Sequence, residues 1–249
     1  MKMNIGPSDA YDELYDLPPW DGLPKRQYLV ASVPRSGSTY ITSLIAKDGR
    51  FGLPLEYFNF SGVKRMRSRL SSDIISYVRE LFSIRTSSVG IFGSKVFISD
   101  MVNLSENHSK VFDLLQPDCF VYIKRRDIVG QAVSYYLASV TGDWFHSTEE
   151  RSIIYSFEGI GEKYRSILRQ YEAWDMCFSR MNLTPHEIWY EDVLVEPESI
   201  FTSMSVWMDV ENLEVEKGRL VPQPRRQGGE KNLIWADRFV KSGGPQIYS

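Results

Sequence analysis

The stretch Tyr28–Ile45, YLVASVPRSGSTYITSLI, runs an apolar segment into a Pro-Arg-Ser-Gly-Ser-Thr turn and out into a second apolar segment. On a strand-to-helix turn, the backbone N–H groups of Ser36, Gly37, Ser38 and Thr39 face an anion, and the helix dipole adds to the attraction. Against the nucleotide phosphate-loop pattern G-x-x-x-x-G-K-[ST], Ser32 replaces the first glycine and Ser38 the lysine, so that only Gly37 and Thr39 match. The lysine normally reaches the outer phosphates, and Thr39 alone establishes no magnesium site. ATP-dependent phosphoryl transfer is therefore disfavoured, and Arg35 must bring the positive charge. An ordinary turn ahead of a helix is the alternative; the position after a buried strand favours an anion cradle.

A second set lies in YIKRRDIVGQAVSYY, where Arg126 falls just past the end of a strand and Ser134 eight residues later on the following helix. Two such groups can clamp one phosphate. One of Lys124, Arg125 and Arg126 is expected in a solvated basic patch partnered by Asp127, and spacing alone favours Arg126 over Arg125 for the clamp. The segment PRRQGGEKNLIWADRF adds Arg225, Arg226, Gly228 and Gly229, a flexible basic stretch able to fold over a phosphate, or one that stays disordered without a ligand.

These groups need elements to hold them. Gln27 to Ser32 is expected to be a buried strand, Ser38 to Lys47 the helix after it with Gly49 as its stop, and GLPLEYFN a loop. A helix is expected over Ser72 to Phe82, capped by Ser72. VGIFGSKVFI reads as a second strand, Ser105 as the cap of a helix to Leu115, and Cys119 to Lys124 as a third strand leading into a helix from about Ile128 to Ala138. Ile160, Tyr164, Ile167, Leu168, Tyr171, Trp174, Phe178 and Met181 share one helical stripe, read as core. HEIWYED is expected as a fourth strand and Pro197 to Trp207 as a further helix. Strands alternating with helices imply an α/β fold with a parallel central sheet flanked by helices, ligands binding at the carboxyl ends of its strands. One domain is expected over residues 1–249, with a loose acidic lead-in over 1–24 and a covering tail over 222–249.

With 29 basic against 32 acidic residues and a net charge of -3, the surface has no general attraction for nucleic acid, so any anion site must be local. Two cysteines, Cys119 and Cys177, suit a reduced cytoplasmic protein, and no zinc site is expected. No signal-peptide core is visible, and no segment approaches the roughly 20 apolar residues that span a bilayer, so a soluble protein without a membrane span is expected.

PRSGST resembles the 5′-phosphosulfate loop of sulfotransferases, which use 3′-phosphoadenosine 5′-phosphosulfate (PAPS), and PLEYF at Pro54 to Phe58 narrows the resemblance to the bacterial trehalose 2-sulfotransferase-like carbohydrate sulfotransferases. The resemblance runs from about Leu29 to Phe239 and implies a P-loop-NTPase-like sulfotransferase fold and a homodimer. A sulfuryl group carries less charge than a terminal phosphoryl group, so a metal-free site of Arg35, amides and hydroxyls is sufficient. By the same resemblance Arg126 and Ser134 take the 3′-phosphate of PAPS, and Arg225, Arg226, Gly228 and Gly229 stand where the family's last phosphate-binding segment lies, in a form that departs from its usual arginine-lysine-glycine.

Of the three histidines, His108, His146 and His186, none follows Lys95 closely enough to be the histidine base of many animal sulfotransferases. The resemblance assigns the base to Glu56, whose apolar and aromatic neighbours suggest a raised pKa. Lys95 either stabilises charge on the bridging oxygen or simply caps a strand. ASVTGDWFHSTEE resembles the family's TG-x-W segment: Trp144, Phe145 and His146 either line a sugar pocket or serve a dimer contact or small core. In WYEDVLVEP, Glu191 and Asp192 are given structural roles near the basic loops. The expected activity is sulfuryl transfer from PAPS to a hydroxyl of a sugar or glycolipid, with a related nucleotide kinase and a noncatalytic PAPS-binding module as alternatives.

Overall fold

The computed structural model describes residues 10–144, 153–210 and 229–245. Four strands, β1 (Arg26–Ser32), β2 (Ile91–Phe97), β3 (Cys119–Lys124) and β4 (His186–Trp189), form one sheet in the order β2-β1-β3-β4, and every pairing is parallel. The chain leaves β1 for one neighbour and returns on the other side as β3. The carboxyl ends of β1 and β3 therefore meet at the point where the strand order reverses, the natural ligand crevice of such a sheet.

Side-chain alternation builds a core on each face. Tyr28, Val30, Val121, Ile123 and Ile188 pack with α1 (Ser38–Asp48) and a later helix, Ser199–Trp207. Leu29, Ala31, Phe92, Phe120 and Tyr122 pack on the opposite face, against helices that include α3 (Ile74–Arg85), α5 (Ile128–Thr141) and α6 (Phe157–Met181). Two further helices are interleaved with these in chain order, α2 (Lys64–Arg69) after the loop GLPLEYFN and α4 (Ile98–Asn107) after β2.

Several sequence expectations are corrected. The cap of α3 is Asp73, which accepts from the Ser76 amide, rather than Ser72. Ser105 lies inside α4, which starts seven residues earlier at Ile98 with Asp100 closing on the Phe97 amide. Of the stripe on α6, Ile160, Ile167, Trp174 and Phe178 are buried but Leu168, about 100° around the helix from Ile167, and Met181, the last residue of the helix, are exposed. The fourth strand ends at Trp189, and Tyr190–Val195 form α7, whose acidic first turn suits a helix start. Helix α8 (Ser199–Trp207) begins after Pro197 rather than at it.

The two ends depart most from expectation. From Glu230 the expected flexible tail is α9 (Glu230–Lys241), burying Trp235, Ala236 and Phe239 beside α5. The lead-in is not loose from Ala10 onward. Ala10, Tyr11 and Tyr15 are buried, and Asp16 bridges Arg69 at 2.5 Å and the wholly buried Arg85 at 2.7 Å. Arg85 also donates to the carbonyls of Ala10 (3.3 Å) and Tyr15 (3.1 Å), and Leu17 and Trp20 donate to the carbonyls of Ile84 and Ser83.

A fully buried guanidinium is tolerated only while its partner remains. Asp16→Asn should therefore cost about 3 kcal/mol of stability. Urea unfolding checks this, and an unchanged midpoint would show that the N-terminal segment from Ala10 does not depend on the ion pair.

Candidate active site

The loop between β1 and α1 is held from three sides. The Ser36 amide donates to the Val33 carbonyl, Gln131 on α5 donates to the Pro34 carbonyl at 2.8 Å, and Trp174 on α6 donates its indole N–H to the Ser32 carbonyl at 3.1 Å. Arg35 sits at φ 65, a left-handed conformation uncommon for a non-glycine residue. Its carbonyl accepts from Arg125, which helps hold it there. Gly37, at φ 84, allows the turn to pass beneath Tyr190, where a Cβ would lie 2.1 Å from the ring. The Ser36 amide is thus spent inside the turn, correcting its assignment to the anion. The remaining donors are the first-turn amides of α1, which has no side-chain cap. The hydroxyl Oγ of Ser36 is buried without a hydrogen-bond partner among the described residues.

Arg35 places its guanidinium against α5, donating from Nε to Ser134 Oγ at 2.9 Å and from a terminal nitrogen to the Trp144 carbonyl at 2.8 Å. Burial and the nearby Arg125 lower its pKa to about 10, leaving it charged at neutral pH. The structure thus joins Ser134 to Arg35. Arg126, at the end of β3, is instead engaged by Asp192 through two contacts of 2.6 and 2.9 Å and lies over the Trp189 ring, while its amide donates to Glu191. The structural roles expected for Glu191 and Asp192 are the ones found. Arg125, passed over by spacing, is the member of the basic run that touches the loop; it also pairs with Asp127 at 3.2 Å and lies over Tyr190. Only a contact to a main-chain carbonyl distinguishes it, and sequence carries no signal for that.

The most consequential group is Lys95. Its register opposite Val30 turns it to the face that carries α1, where its ammonium bonds Thr39 Oγ1 at 2.9 Å and pairs with Glu56 at 2.7 Å. A lysine from the neighbouring strand thus meets the loop that lacks one of its own. The loop Pro54–Phe58 is brought to it by a parallel bridge between Leu55 and Ser94, in which the Lys95 amide donates to the Leu55 carbonyl. Asn59 donates to the other carboxylate oxygen of Glu56 at 2.8 Å. Lys95 is 2% exposed, so this is a buried ion pair and not a strand-end cap in solvent.

The expectation of a raised pKa at Glu56 is overturned. Burial pushes the carboxyl up, but the charge and hydrogen bond of Lys95 and the amide of Asn59 together hold it below its usual value. A second carboxyl near the pair behaves oppositely: burial, opposed by the Phe97 amide and reinforced by the charge of Glu56, raises Asp100 to about 6. Trp144, 41% exposed, packs its ring near Tyr135. Gly229 precedes α9 as its cap residue, while Phe145, His146, Arg225, Arg226 and Gly228 lie outside the described residues. No cluster of three metal-binding side chains occurs among the described residues, and none of their helices is long and apolar enough to cross a membrane.

The raised pKa of Asp100 means that the folded state binds its proton more tightly than the unfolded one. That contribution to stability is present at low pH and is lost as pH rises through about 6. Asp100→Asn should therefore stabilise the protein at about pH 7.5 and lose that advantage at about pH 4. Urea midpoints at both values test this; an equal effect at both would rule out a buried charge as the cause.

The chain is similar to known sulfotransferases. Trehalose 2-sulfotransferase of Mycobacterium tuberculosis is 24% identical over 257 residues, covering 86% of this chain and 94% of that protein. Among solved structures, the sulfotransferase domain of the Synechococcus PCC 7002 olefin synthase matches 94% of this chain and 93% of its own, with 14% identity and a TM-score of 0.46. The family model of the Stf0 sulphotransferases matches residues 90–242, a span that takes in the lysine strand, the basic turn after β3 and all of α9. More than half of the sequence follows that pattern, and the chain belongs to the Stf0 sulphotransferase family.

Proposed function

We propose that the protein transfers a sulfuryl group from PAPS to a hydroxyl of a carbohydrate or glycolipid, with Glu56 as general base. The observation that carries this reading is the Lys95 bridge, in which one buried ammonium touches both the loop, at Thr39, and the glutamate. The chemistry of the loop fits an anionic donor: among the described residues Ser36 Oγ is buried without a hydrogen-bond partner, an arrangement that costs about 1–3 kcal/mol unless a ligand oxygen meets it. When bound, PAPS supplies an activated sulfuryl group on a stabilised leaving phosphate. Family membership sets aside the kinase alternative, and the name of the Mycobacterium tuberculosis relative supports a sugar acceptor.

In this reading the amides of Gly37, Ser38 and Thr39 with the Ser36 hydroxyl hold the 5′ end of the donor, and Arg35, charged at neutral pH, holds the sulfonate. Arg126 and Ser134 take the 3′-phosphate, with Arg225, Arg226, Gly228 and Gly229 covering it. Trp144 and His146 line the sugar side. The depressed pKa keeps Glu56 ionised, hence able to accept the hydroxyl proton, although a weak base. Lys95 resolves the difficulty by moving its charge toward the bridging oxygen as negative charge builds there. The glutamate then loses its counter-ion and gains basicity at the moment the proton must be taken. The cytoplasm is assigned on two free cysteines, and the homodimer on resemblance.

Glu56→Gln keeps size and hydrogen bonding but cannot take a proton. It should bind 3′-phosphoadenosine 5′-phosphate normally and lose roughly 10²- to 10⁴-fold in kcat. The assay is transfer from labelled PAPS to a panel of sugars that includes trehalose. Near wild-type kcat would put the base elsewhere, and lost nucleotide binding would make Glu56 an organiser of the site. A wild-type protein that binds the nucleotide but turns over no sugar would favour the noncatalytic module.

The second anion site has its own test. The protein should bind 3′-phosphoadenosine 5′-phosphate more tightly than AMP, and Arg126→Ala should erase the difference. Equal affinities by calorimetry in the wild-type protein would remove Arg126 and Ser134 from the donor site.

A further inference from the structure

The N-terminal strap reaches the base. Tyr11 is buried, and its hydroxyl oxygen accepts the backbone N–H of Glu56 at 3.1 Å. Its ring meets Tyr57 edge-on, with centroids 6.3 Å apart and planes at 86°, so the phenol holds the peptide of Glu56 and also packs against the next residue. The strap is itself anchored away from the site. Asp12 pairs with Arg65 at 2.6 Å, the Tyr11 carbonyl accepts from Arg69, and Asp16 bridges Arg69 and Arg85. Burial first, and then the charge of Glu56, push the Tyr11 hydroxyl well above its usual pKa, so it stays neutral and protonated while its lone pair receives the amide.

The geometry points to Tyr11 as a positioning residue for Glu56, fixing the peptide that carries the carboxylate so that its side chain stays aligned with Lys95 and the acceptor. The assignment rests on the reading of Glu56 as the base. Two constraints make it more than packing. The peptides on either side of Glu56 are held by other groups, the Leu55 carbonyl by the Lys95 amide and Ser94 Oγ and the Tyr57 carbonyl by the Tyr77 hydroxyl at 2.7 Å, so the Glu56 N–H between them is the point of the loop that Tyr11 fixes. The group that accepts this N–H comes from 45 residues earlier in the chain, on a segment held by a buried guanidinium.

Tyr11→Phe deletes the hydroxyl and keeps the ring. Amide hydrogen exchange of the native protein should show the Glu56 N–H losing protection while the strand amides of β1 and β2 keep theirs. With the sugar that the wild-type protein turns over best, kcat should fall about 10-fold, between the loss of one hydrogen bond and an ångström of misplacement, while affinity for 3′-phosphoadenosine 5′-phosphate and the KM for PAPS stay unchanged. In the Glu56→Gln background the same change should cost nothing further, because there is no base left to position.

Wild-type kcat in Tyr11→Phe beside an inactive Glu56→Gln would overturn the proposal and leave the base assignment standing. Losses that multiply in the double variant would also overturn it, placing any effect of Tyr11 elsewhere. Full activity in Glu56→Gln would sink both, and would do so before the tyrosine is touched.

Discussion

A buried ammonium must be compensated, and the way this fold compensates Lys95 organises everything around it. Desolvating a lysine is costly unless charge and hydrogen bonds are returned. Here the return comes from two elements distant in sequence: Glu56 from the loop beside the edge strand and Thr39 from the first turn after β1. Loop, strand and glutamate cannot be placed independently, because each supplies part of one cation's surroundings.

The same electrostatics sets the chemical difficulty that the site must overcome. The lysine that holds Glu56 in place also lowers its basicity. Such a pair is well suited to a reaction in which negative charge appears close to the lysine and a proton must leave an alcohol on the glutamate side, since one movement of charge serves both events. Asp100, pushed to about 6 close by, shows that the pocket does not favour carboxylates in general; it is the direct contact with Lys95 that keeps Glu56 ionised.

On the other side of the loop, the cations are paired rather than waiting in solvent. Arg35 spans from the turn to Ser134 and the Trp144 carbonyl, Arg125 braces the turn through its carbonyl, and Arg126 is held by Asp192. The acidic first turn of α7 thus balances the basic turn after β3, and a donor phosphate would have to exchange with protein carboxylates as well as with water. Such exchange favours ligands that present a full phosphate charge.

What the sequence determined by itself is the local part: the strands around PRSGST and YIKRR, the helices after them, a parallel α/β sheet and the residue types of an anion site, because apolar periodicity and turn chemistry act over a few residues. The glutamate of PLEYF was legible only through resemblance, since nothing local marks it. What tertiary structure alone decided is pairing across long separations. It joined Lys95 to Glu56 and reversed the expected direction of its pKa, gave Ser134 to Arg35 and Arg126 to Asp192, and turned the tail from Glu230 into a packed helix. It also docked the strap from Ala10 through Asp16 and Arg85, which are 69 residues apart. A salt bridge or a buried amide depends on which surfaces the fold brings within about 3 Å, and that distance is not encoded in the spacing of residues along the chain.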